Sequence, residues 1–219
     1  RDRRPCLGAG AVEMTGDMIV PSAVYLRGTS VTVGNVTGAD SVSLIANAGA
    51  VNSAGTIEAG RNTFIPPTGG GSSNRLTAGD DIGINGSGDI DIAFMDATGD
   101  NPEGEEIGSN VGINLTTGNV FVGHGEAADD YLVNATSFRT GLNSIITGGN
   151  IEITTAGASD LGNSTAGGSI TVDAQSIAFN TLDAGSTISL TANGTAAGAD
   201  GIDGATVIAG SGINMDGTR

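Results

Sequence analysis

Short runs of alternating aliphatic and polar residues, bounded by Gly, Asn or Asp, fill this chain from Val24 onward. Val24 and Leu26 alternate with their neighbours, Val31 and Val33 repeat the alternation seven residues later, and Val42 and Leu44 begin the motif again. Successive side chains of an extended strand point to opposite faces, so this alternation predicts strands buried on one side. The seven-residue offset returns at Ile113 and Val120 and at Ile170 and Ile177. Two short strands about a tight bend, then a less regular third side, make one unit. Ile113, Leu132, Ile151, Ile170, Ile188 and Val207 follow one another at a near-constant interval of about 19 residues. A fixed short period of this kind is the mark of one unit stacked on copies of itself. The expectation is an all-β fold over residues 21–219, a single-stranded right-handed parallel β-helix (β-solenoid) of about 19 residues per coil. The six aliphatics should then pile into one internal column.

Departures from the pattern mark its exceptions. Residues 1–20 show no clear alternation before Met18 and are expected to form an irregular N-terminal segment or cap. Pro66, Pro67 and Gly69 to Gly71 suggest a loop leaving a blurred coil. The interval from Ile82 to Ile113 exceeds one coil by about a dozen residues, and the extra chain is legible at 96–106 as an acidic insertion. Insertions in solenoids become loops on the flank. The best helical candidate, Glu126 to Tyr131, runs straight into Leu132, which keeps the strand period.

Composition supports coils over a compact globule. Gly is 38 of 219 residues, aromatics are 3% and Trp is absent, so a core of large side chains would be thin. Glycine is not at every third position, which excludes collagen, and the Ile and Val alternation argues against disorder. Each coil of a solenoid needs only a few inward aliphatics with turn residues between them. The net charge is −16, from 24 acidic residues against eight Arg and no Lys. Phosphate backbones are held through Lys and Arg, so nucleic acid is excluded as a partner, and anionic membrane surfaces are disfavoured for the same reason. Cys6 is alone, so neither an internal disulfide nor a cysteine metal site can form. The chain starts at Arg1 and has no apolar run long enough to span a bilayer, which reads as an interior or processed piece of a longer protein.

Three segments, Gly149-Asn-Ile-Glu-Ile-Thr-Thr155, Gly168-Ser-Ile-Thr-Val-Asp-Ala174 and Gly185-Ser-Thr-Ile-Ser-Leu-Thr-Ala-Asn-Gly194, carry a resemblance. They are similar to repeats of filamentous haemagglutinin-like adhesins and autotransporter passengers of Gram-negative bacteria, over roughly residues 24–215. The resemblance implies a right-handed parallel β-helix, export to the cell surface, and adhesion to glycans, surface proteins or further copies of itself. No catalytic residue comes with it. Asp100-Asn101-Pro102 resembles the Asn-Pro motif of that family's secretion module only by coincidence, lying mid-chain in an acidic segment.

Candidate chemistry is mostly acidic: Asp80, Asp81, Asp89 and Asp91, then Asp96, Asp100, Glu103, Glu105 and Glu106. The last five could converge on Ca²⁺, which takes six to eight oxygens, although their spacing matches no known calcium loop and a solvated acidic loop is the simpler reading. No other cofactor is expected. His124, the only histidine, sits in Val-Gly-His-Gly-Glu, which reads as a turn, and no nucleophile is marked beside it. A polysaccharide-active, lyase-like β-helix enzyme would need a cation near an acidic cluster, yet only Arg61, Arg75 and Arg139 lie between Arg27 and Arg219. An ice-binding solenoid would need Thr-x-Thr on successive coils, and Glu152 and Asp173 interrupt the face that carries Thr171. A non-enzymatic adhesive role is the preferred expectation.

Overall fold

The computed structural model describes residues 6–7, 10–98, 109–141, 145–194 and 201–217. All regular structure among them is β, and every strand pairing is parallel. Sheet A has 11 strands and sheet B has 14. Sheet A runs Cys6–Leu7, Val24–Gly28, Val42–Ala46, Thr63–Ile65, Ile82–Gly86, Val111–Leu115, Tyr131–Ala135, Ile151–Thr155, Ile170–Ala174, Thr187–Ala192 and Gly212–Gly217. Between consecutive sheet A strands the chain turns a corner and runs along sheet B. There it forms one long strand, such as Asn119–Ala127 or Ser176–Ala184, or two short ones such as Ser137–Thr140 and Ile145–Thr147. A second corner returns it to sheet A one rung on. This is the expected solenoid.

The interior is assembled from several stacked columns. In sheet A, Val111, Tyr131, Ile151, Ile170 and Ile188 superpose, and beside them Ile84, Ile113, Val133, Ile153, Val172 and Leu190; Ile213 and Met215 continue the two columns on the last coil, where they are exposed. Sheet B contributes Ile57, Leu76, Met95, Gly125, Ile145, Ser164, Leu182 and Val207. The single column expected from the sequence is therefore corrected. Ile151, Ile170 and Ile188 do superpose. Ile113 belongs to the neighbouring inward column, Val207 to sheet B, and Leu132 points outward at 39% exposure. The cause is uneven coil length. The steps from Val111 to Tyr131 and from Tyr131 to Ile151 are each one residue longer than the step to Ile170 and two longer than the next, to Ile188; the last step, to Ile213, is the longest. A one-residue error in register exchanges the two faces of a strand, which is why counting by period puts Leu132 inside and passes over Tyr131.

The gap at Gly125 explains the tyrosine. A Cβ on Gly125 would lie 2.8 Å from both Ile145 Cδ1 and Tyr131 Cε2, so the glycine opens the room that the ring fills. Tyr131 is fully buried, its hydroxyl meets only Met95 Sδ at 3.8 Å, and burial pushes its ionisation well above the ordinary phenol range.

The N-terminal residues also join the ladders. Val12–Met14 pairs with Val31–Val33, Met18–Val20 with Val36–Gly38, and Cys6–Leu7 with Leu26 and Arg27. The ladders thus reach upstream of residue 21, although Ile19, on this end coil, is 79% exposed. At the insertion, strand Ile90–Ala97 continues through Asp96, and the ladder resumes at Val111. No helix of the described residues is long and apolar enough to cross a membrane.

Candidate functional site

One corner of the solenoid is tied by a side-chain ladder. Asn62, Asp81, Asn110, Asp130, Asn150, Ser169 and Thr187 precede or open successive sheet A strands. Each side-chain oxygen up to Ser169 accepts the backbone N–H of the next rung, at 2.7 to 3.4 Å. Asn110 and Asn150 also donate their amides to Asp81 and Asp130, at 3.2 and 3.0 Å. Alternating carboxylate and amide avoids stacking like charges one rung apart. Asp89 has the same role at another corner, accepting the backbone and side-chain N–H groups of Asn119 at 2.8 and 3.0 Å.

These ladders absorb part of the expected acidic cluster. Asp81 and Asp89 are structural rungs, and Asp91 lies on the outer wall of sheet B. Asp80 is 8% exposed; burial and then the adjacent Asp81 push its carboxyl above the usual range, with Arg61 opposing. Asp96 Oδ1 accepts from the N–H and hydroxyl of Thr98, and its other oxygen lies 3.7 Å from Arg75. Asp100, Glu103, Glu105 and Glu106, the remaining calcium candidates, lie outside the described residues. Within the described residues no three His, Cys, Asp or Glu side chains are grouped to hold a metal.

His124 is part of a row across sheet B. The Arg75 guanidinium lies 4.1 Å over the Phe94 ring, Phe94 stacks on His124 at 5.2 Å, and His124 Nε2 is 2.7 Å from Glu126 Oε1. A carboxylate only accepts, so Nε2 carries the proton in this pair. His124 Nδ1 is buried with no partner. The arrangement clamps the imidazole to the sheet, and the expected turn at His124 is replaced by this packed position inside strand Asn119–Ala127. Further along the same wall, Phe121, Arg139, Asp160, Phe179 and Asp203 surround an open recess of about 590 Å³.

The outer wall of sheet A carries a different feature. One outward column reads Ser43, Phe64, Gly83, Gly112, Leu132, Glu152, Thr171 and Ser189. The neighbouring column reads Asn85, Asn114, Asn134, Thr154, Asp173 and Thr191. No two adjacent rungs of this wall repeat Thr-x-Thr. Two side chains are missing where Gly83 and Gly112 stand, and the wall sinks into an open trough of about 540 Å³. Phe64, 43% exposed, closes one end, and the other end runs past Leu132 to the next rung. Asn85, Asn114 and Asn134 form one bank, with Asn134 Nδ2 donating to Asn114 Oδ1 at 3.3 Å, and Glu152 and Thr154 lie past Leu132.

Sequence reasoning missed this trough, yet a signal for it was present. Ile82-Gly83-Ile84-Asn85 and Val111-Gly112-Ile113-Asn114 are near-copies, each with glycine at the outward position of an otherwise regular strand. Compared with models of known families, with curated proteins and with solved structures, the chain matches none.

Proposed function

We propose that this chain is an adhesive, non-enzymatic segment of a secreted bacterial surface protein of the filamentous haemagglutinin-like kind. It acts as a rigid rod that binds glycan or protein partners through many weak contacts along its flank. The observation that carries this reading is the trough between Phe64 and Leu132, an apolar and amide-rimmed recess on a mostly polar wall. Two exposed apolar side chains facing one recess, with amides along its bank, support an interaction surface there. The charge of −16 suits display outside the cell, keeping neighbouring rods apart and soluble. Weak sites become effective when many rods are presented together, because later contacts form at high local concentration.

Beads coated densely with the chain test this directly. They are expected to adhere to epithelial or bacterial cells in proportion to coating density, with the free chain binding far more weakly. Beads that fail to adhere at any density contradict the adhesive role.

A further inference from the structure

The two glycines under the trough are not demanded by the backbone. Among the described residues positive φ is confined to Gly70, Gly88, Gly118 and Gly162, so Gly83 and Gly112 sit in conformations open to any residue. Packing does not demand Gly112, where a Cβ would meet nothing within 4 Å. At Gly83 a Cβ would crowd only the half-exposed Phe64 ring, at 3.3 Å, so that ring and not the backbone would have to give. The corner glycines behave otherwise: at Gly79, Gly167 and Gly185 a Cβ would press into the carbonyl of the preceding coil. Glycine inside a strand weakens it and often accompanies a bulge, a bend or the close approach of a ligand or another backbone; at Gly112 no part of this chain approaches within 4 Å of where a Cβ would stand.

From this we infer that the trough is a binding site for a neutral pyranoside glycan. The inference rests on the adhesive reading above and names the ligand class. The Phe64 ring beside Gly83 offers an apolar face to the C–H side of a sugar ring, and Leu132 offers another three rungs away, about 14 Å at the usual strand spacing. The Asn85, Asn114 and Asn134 amides each present donors and an acceptor on one bank, the pairing that adjacent hydroxyls require. That combination of apolar face and hydroxylated edge is the chemistry of a pyranose. Its volume of about 540 Å³ falls within the range of small-ligand sites. No cation lines the trough and Glu152 stands at its end, so sialylated, uronic or sulfated glycans are repelled. A folded protein partner would need a far larger contact than this recess supplies, of order 1,000 Å² in total.

The test titrates the ¹⁵N-labelled chain with neutral trisaccharides ending in glucose, galactose, mannose or N-acetylhexosamine, beside sialylated and sulfated forms of the same cores. A neutral member is expected to shift the Gly83 and Gly112 backbone signals and the Asn114 and Asn134 side-chain amides, and the anionic forms to bind less. Gly112→Val fills the trough with a strand-favouring residue in open space. It is expected to weaken binding about tenfold or more while the melting temperature holds or rises. Absence of shifts with every neutral sugar, stronger binding of anionic forms, or unchanged affinity in Gly112→Val overturns the inference. Bead adhesion separates the two levels. If Gly112→Val beads still adhere and adhesion survives periodate but not protease treatment of the cells, the partner is a protein and the glycan site is wrong while the adhesive role stands. If wild-type beads never adhere, the adhesive role itself falls.

Discussion

Ile170→Asp is expected to unfold the coils around it, at a cost above about 4 kcal/mol. Ile170 is fully buried and lies between Ile151 and Ile188 in the sheet A column. A carboxylate there has apolar neighbours on the rungs above and below and no hydrogen-bond donor replaces its lost water, so the chain must either protonate it or open. Because each coil is templated by its neighbours, a break at one rung spreads to the next. Thr171→Asn, one residue on but facing solvent, is the control and should change stability by less than about 0.5 kcal/mol. Denaturant unfolding followed by far-ultraviolet circular dichroism separates the two variants. A wild-type midpoint in Ile170→Asp would remove the buried column.

The second large effect concerns Tyr131. Tyr131→Ala should lose about 3–5 kcal/mol, the range for deleting a buried aromatic ring and leaving its cavity. Tyr131→Phe should cost under about 1 kcal/mol, since the hydroxyl has only a thioether contact to give up. Gly125→Ala should destabilise by about 1–3 kcal/mol, because its methyl would overlap the ring and Ile145. Combining Gly125→Ala with Tyr131→Leu should cost less than the sum of the two single changes, as the smaller side chain makes way for the methyl. Additive losses in that cycle, measured by the same unfolding experiment, would show that the two residues do not share one space.

Much of this architecture was legible in the residues, and the limits have physical causes. Alternation at Val24 and Leu26, or at Ile170 and Val172, reports strands directly because a pleated chain has a period of two. The period of stacking was legible too, but only as an average. Coils that differ in length by one or two residues, with a longer one before Ile213, cannot be phased by counting from a single aliphatic. Tyr131-Leu132-Val133 is ambiguous locally, since all three are apolar, and the choice between faces is made by the vacancy at Gly125 in a different sheet. That vacancy is a long-range fact.

The candidate chemistry shows the same division. Asp81, Asp89 and Asp130 look like free carboxylates in the sequence, and pairing across rungs converts them into acceptors for the N–H groups of Asn110, Asn119 and Asn150. The trough was harder to see because it is made of absences. Gly83 and Gly112 are unremarkable among 38 glycines until register places one directly above the other, between Phe64 and Leu132.

The register itself is the claim on which trough, ladder and column all depend. Nitroxide labels at Ser43 and Ser189, introduced as cysteines with Cys6→Ser, sit seven rungs apart in one outward column. Pulsed dipolar spectroscopy is predicted to give one narrow distance near 34 Å, seven steps of about 4.8 Å. A separation under about 20 Å, or a broad distribution without a peak at that spacing, would contradict the stacked solenoid.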